Sequence, residues 1–206
     1  MPFSAASLLT PYAITDGSIQ QALRRELYMF ALYRTLEAAL LALVVFSPFG
    51  DMAGPPRDLL LARSVAFAYL PMAVVLLLAS RRDGSALGWQ ALIGVGVDIA
   101  LAALITHALP DAGPGVAMML LFNVGAAALF VPLTAAMAIA AAAAAALAGE
   151  YIWTSLGSLP FERPLAEVLM FSVSFFAMVT VSNLLGRQMR DSLQRADART
   201  AEATNL

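Results

Sequence analysis

The stretch SALGWQALIGVGVDIALAALITHAL, from Ser85 to Leu109, constrains the fold more than any other. Between Ala86 and Thr106 every residue except Gln90 and Asp98 is apolar, small or aromatic. At about 1.5 Å per helical residue this run crosses a hydrocarbon core of about 30 Å, which places a carboxyl group near the middle of a membrane. A charged side chain at that depth costs roughly 2.5 to 3.5 kcal/mol, so it faces other helices or a wet cavity and takes a partner there. Asp98 therefore requires a bundle around it.

The rest of the chain can supply one. Of its 206 residues 61% are hydrophobic and 13% charged, and the mean hydropathy is +0.79, against roughly a quarter charged in soluble proteins. The expected fold is all-α, a polytopic membrane protein with a six-transmembrane-helix bundle and a cytoplasmic C-terminal signalling helix. Spans are expected at about Leu27–Phe49, Leu59–Ala79, Ala86–Thr106, Gly115–Val131, Leu133–Trp153 and Leu165–Leu185. A short surface helix is expected over Gln20–Arg34, with Pro71 as a candidate kink in the second span.

The fourth and fifth spans need an argument. From Val116 to Ala148 no residue is charged; as one straight helix this segment would be about 50 Å long, overshooting the bilayer by about 20 Å. A break at Pro132 resolves the excess. Arginine placement supports an even count: with six spans Arg24, Arg25, Arg34, Arg81, Arg82, Arg187, Arg190, Arg195 and Arg199 lie on one side, and only Arg57, Arg63 and Arg163 on the other. Basic residues favour the cytoplasm, so both termini are expected there, in the bacterial inner membrane. The division is an N-terminal tail and interfacial helix over 1–26, a transmembrane sensor domain over 27–186 and a linker or signalling helix over 187–206.

Few residues carry chemistry. Asp98 reads either as a signalling or ligand-contacting group or as a hydrogen-bonded acid that fixes helix packing. Arg34 and Glu37, one turn apart near the entry of the first span, are expected to pair while Arg34 snorkels to the interface. Asn123 and Asn183 are expected to bond across helices. His107 lies nine residues after Asp98, on the opposite face of the helix, so the two form no dyad; it and Glu150 read as interfacial. There is no cysteine, no phosphate loop and no HExxH or GxSxG pattern, so catalytic, metal and cofactor sites are all expected to be absent, as is a nucleic-acid partner. From Met189 the residues Leu193, Ala196, Thr200 and Ala203 recur at spacings of 4, 3, 4 and 3, which reads either as a coiled-coil seam or as a solvated polar helix. With Gly186 as a hinge point, Met189, Leu193 and Ala196 are candidates for signal relay.

The segments ALYRTLEAALLAL, VDIALAALITHA, GEYIW and the exit LLGRQMRDSLQRADARTAE resemble the membrane region of the sensor histidine kinases that control type IV pilus genes. The resemblance implies a six-helix membrane input region ahead of a PAS domain and a kinase core. It further implies signalling through a two-component pathway, with the apolar helix of the major pilin as the proposed input. Membrane lipid and a second copy of the chain, as a homodimer, are the other expected partners; a response regulator would be reached only through a kinase domain. The chain as given holds no phosphoacceptor or ATP-binding boxes and is not expected to be an enzyme by itself. The turn VPLTAA lacks the basic residue typical of the family between the fourth and fifth spans. A small six-span transporter using Asp98, or a membrane scaffold, is the alternative, although the part of the sixth span around FFAMVTVS has no ionisable residue.

Overall fold

A computed structural model describes residues 17–48, 54–81, 87–156 and 164–204. Among these residues there are six α-helices and no strand: α1 Gly17–Phe46, α2 Leu59–Ser80, α3 Leu87–Ala108, α4 Gly113–Ala127, α5 Leu133–Leu156 and α6 Leu165–Thr204. A 3-10 turn, Pro110–Ala112, links α3 to α4. The expected surface helix and the first span are one element, α1, and α2 continues through Pro71.

Among the described residues, five helices are long and apolar enough to cross a membrane: α1 from Arg24, α2, α3 from Gly88, α5, and α6 as far as Met189. The fourth helix has 15 residues, about 22 Å, short of a hydrocarbon core. Its ends nevertheless lie at opposite ends of the bundle. It starts directly after the end of α3, and the turn that follows it reaches Phe130, whose carbonyl lies beside Gly88 at the start of α3. The 3-10 turn before it and the turn over residues 128–131 after it supply the missing length. The chain turns at Pro132, after which α5 begins at Leu133.

Hydrogen bonds between elements fix the two ends. At one end the Arg81 guanidinium donates to the Tyr28 hydroxyl at 2.8 Å, and Gln90 donates to the Ala79 carbonyl at 3.0 Å. At the other, the backbone N–H of Arg57 donates to the Ala108 carbonyl at 2.9 Å, and the Asp58 carboxylate caps α2 by accepting from the Leu61 N–H. The start of α1, the end of α2 and the start of α3 thus share one end of the bundle.

Helices α3 and α4 form the centre. The pair α1 and α2 packs on one side of α3, α5 packs against both α3 and α6, and α6 packs against α4. The main core joins α3, α4, α5 and α6 around Phe175, Leu120, Val124 and Val179. The alanine tract divides: Ala136, Ala140 and Ala143 are fully buried in this core, while Ala138, Ala141, Ala142 and Ala145 face outward. The final helix has 40 residues, about 60 Å, twice a hydrocarbon core. It passes through the buried Gly186 without interruption.

Candidate functional site

Three helices meet at Asp98: its own α3, with α1 and α2. The acid lies halfway along α3, buried to 4% exposure, and its carboxylate accepts from the Arg34 Nε at 2.9 and 3.0 Å and from Arg34 Nη2 at 2.8 Å. The Tyr69 hydroxyl on α2 donates to the same carboxylate at 3.1 Å. Arg34 is itself 3% exposed, and its guanidinium lies over the Phe30 ring at 4.5 Å. A guanidinium meeting a carboxylate through two nitrogens is geometrically specific as well as strong.

This overturns the expectation for Arg34. It neither snorkels to an interface nor takes Glu37 as its carboxylate. The reason is depth: Arg34 is about 15 Å along the helix from Arg24, near mid-membrane, where reaching water is harder than reaching Asp98 across the α1 to α3 contact. Gly94, one turn before Asp98, makes that contact possible. A Cβ there would stand 2.6 Å from Arg34 Nη1 and 2.8 Å from Cζ, so the guanidinium occupies the space a side chain would take.

Glu37, one turn further along the same helix, takes a different partner. Its Oε2 accepts from the Asn123 amide on α4 at 2.8 Å, and Tyr33, one turn earlier and stacked at a tilt on Phe122, also faces it. Glu37 Oε1 and Asn123 Oδ1 are buried without a hydrogen-bond partner. Both residues line a cleft with Asp98 and Tyr69 at its polar end and apolar residues of α1, α3 and α4 along its walls.

Asn183 does not join this network. Its amide donates to the Ala128 and Val131 carbonyls at 3.2 and 3.1 Å, tying α6 to the turn between α4 and α5. These are carbonyls released where α4 ends, and a buried carbonyl left unpaired is costly. In a turn without a basic residue, VPLTAA, the cap comes from the neighbouring helix instead. Close approach of α4 and α6 nearby depends on Gly125, where a Cβ would stand 2.7 Å from Met178.

Of the relay candidates, Met189 is exposed and Gly186 buried. The side chains of Leu193 and Ala196 lie outside the described residues, and with them the coiled-coil seam. His107 does not meet Asp98; it stands 3.7 Å from Glu150, which accepts from the Thr154 hydroxyl, near the Arg57 guanidinium. Sequence reasoning left this cluster as separate interfacial residues, and it missed Tyr69 and Gly94. Among the described residues no group of His, Cys, Asp and Glu is arranged to hold a metal ion.

A polytopic helical bundle with an interior ion pair is common to receptors and transporters, and the comparison with known families gives the chain its family. Residues 17–196 match the model of the PilS-like transmembrane domain, a six-transmembrane family, so the chain belongs to that family. Neither the curated proteins nor the solved structures compared with it gave a match.

Proposed function

We propose that the chain is the membrane input and dimerisation module of a sensor histidine kinase in two-component signalling, held in the bacterial inner membrane with both termini cytoplasmic. The observation that carries this reading is the route from the buried ion pair to the last helix. Arg34 and Asp98 join α1 to α3, Glu37 and Asn123 join α1 to α4, and Asn183 joins the end of α4 to α6. An element with discrete hydrogen-bonded arrangements can hold two states, which an input biases by its differing contacts with them. The unbroken α6 then carries a rotation or shift out of the membrane.

As input, the reading takes a single apolar helix within the membrane, the pilin's in the kinases the sequence resembles. The outward small residues of α5, Ala138, Ala141, Ala142 and Ala145, are where such a helix would approach most closely, since van der Waals contact drives association in lipid. The test places the chain ahead of its kinase core. Asp98→Leu should lock output, and Asp98→Asn should act more mildly because it keeps hydrogen bonding. Each residue inserted after Arg190 turns the helix beyond it by about 100°, whereas seven restore the phase within about 20°. One to four inserted residues should swing activity between high and low, and seven should return it. Output indifferent both to Asp98 and to insertion length would defeat the proposal.

A further inference from the structure

Glu37 and Asn123 share one hydrogen bond and leave a matching pair of oxygens unmet. The Asn123 amide donates to Glu37 Oε2 at 2.8 Å, while Glu37 Oε1 and Asn123 Oδ1, the other halves of the same two groups, have no partner, on side chains 5% and 2% exposed. Buried acceptors are rarely left so. The Tyr33 hydroxyl also faces Glu37, but it carries a single hydrogen, and turned to Oε1 it would still leave Asn123 Oδ1 without a donor. Arg34 and Tyr69 are engaged by Asp98.

Charge narrows the choice of donor. Among the described residues, the ionisable groups around Glu37 are Tyr33 and Arg34 on α1, Tyr69 on α2 and Asp98 on α3, and α4 offers the neutral Asn123. One cation therefore stands among two carboxyls, and Asp98 already holds it through two nitrogens. An ionised Glu37 would be an uncompensated charge inside the bilayer, and a buried carboxyl in that position neutralises itself by taking up a proton. The adjoining cleft has about 40 Å³ of free space, room for water. A water can donate to both oxygens, yet it brings no positive charge.

We propose that Glu37 holds a resident proton on Oε1 and donates it to Asn123 Oδ1, closing a ring of two hydrogen bonds between carboxyl and amide that joins α1 to α4. A protonated carboxyl is one donor and one acceptor, the complement of a primary amide, so a single proton satisfies both orphaned oxygens and removes the surplus charge. The pair of Arg34 and Asp98 stays ionised beside it. Loss of the proton sets Oε1 against Oδ1, two acceptors, and loosens α1 from α4. The ligand of this site is the proton, and its binding does not depend on a kinase output.

The test is infrared spectroscopy of the whole chain in a maltoside detergent, which has no ester carbonyl to mask the stretch of a protonated carboxyl. At neutral pH the parent should show that band above the amide absorption, and Glu37→Gln, whose amide can make the same two bonds to Asn123, should lack it while eluting as the parent does. Asn123→Leu should keep the band but move it to higher frequency, because the O–H loses its acceptor. Unfolding titrations give a second readout. A proton held only in the folded state makes stability fall as pH rises above the ordinary carboxylate range, so from about pH 5.5 to about 7.5 the unfolding constant of the parent relative to Glu37→Gln should rise by up to about tenfold per pH unit. A parent spectrum without a band that Glu37→Gln removes, or a ratio flat with pH, would leave an ionised Glu37 served by water and overturn the proposal. So would a Glu37→Gln chain that fails to fold, since a neutral isostere of the protonated acid must be tolerated, and so would a band that Asn123→Leu leaves unmoved.

Discussion

The two sides of the bundle are held together differently. Where α1 and α2 meet α3 and α4, side chains from four helices meet through charge and hydrogen bonds: Arg34, Glu37, Tyr69, Asp98 and Asn123. Where α5 and α6 meet the centre, the core is Ala136, Ala140, Ala143, Leu147, Phe175 and Val179, with the Asn183 amide reaching across from α6 to the turn after α4. In lipid, apolar surface gains nothing by association, so close packing and polar bonds are the two available sources of specificity. Each side draws mainly on one of them. The polar side has discrete alternatives, because a donor can change acceptors, while the alanine side can only fit or not fit. A bundle built so can rearrange on one side and transmit rigidly through the other.

The largest expected effect breaks the polar side. Removing one partner of a buried ion pair strands the other charge, at about 3 to 5 kcal/mol. Asp98→Leu alone should therefore strongly lower resistance to unfolding in a denaturing-detergent titration, as should Arg34→Leu. The double variant should recover most of the loss, since an apolar pair of similar volume is often neutral or better. Additive losses in the double variant would mean that the two residues stabilise the bundle independently.

Next comes the packed side. Ala140 is fully buried and Ala141 faces outward, so Ala140→Leu should cost about 1 to 3 kcal/mol through overpacking while Ala141→Leu is near neutral. Similar costs at both positions would place a partner on the outer face of α5. Gly94 and Gly96 give a matching contrast on α3. An alanine at Gly94 must displace the pinned guanidinium, whereas nothing lies within 4 Å of a Cβ at Gly96. Gly94→Ala should lose stability despite a helix-propensity gain of up to about 1 kcal/mol, and Gly96→Ala should keep that gain.

How much of this was legible in the chain follows the same division. Asp98 stood out because a lone acid in an apolar run has a cost that must be met, and the turn at Pro132 because an uncharged run can be measured against a bilayer. The partner of Asp98 was not legible. Arg34 lies 64 residues away, and its local neighbour Glu37, one turn on, offered an equally good carboxylate; only the register of α1 against α3 decides between them. Tyr69 reads as an ordinary aromatic residue of a span until its hydroxyl is seen to have a target. Gly94 reads as one small residue among several, although its place one turn before the acid is a usable signal. His107 and Glu150 are on helices joined through another, and nothing in their spacing brings them to 3.7 Å.

The smallest effect sharpens the account of the polar side. Tyr69 supplies a single neutral hydrogen bond to a carboxylate that Arg34 already holds through two nitrogens. Hydrogen bonds between membrane helices average about 0.6 kcal/mol and reach about 1.7, so Tyr69→Phe should cost within that range in the same titration, with the bundle otherwise intact. The coupling matters more than the size. If the hydroxyl acts by keeping Asp98 in register with Arg34, its removal should cost nothing further in Asp98→Leu, where no carboxylate remains to accept it. An equal loss from Tyr69→Phe in both backgrounds would show that the ring environment of α2, and not the bond to Asp98, is what the substitution disturbs.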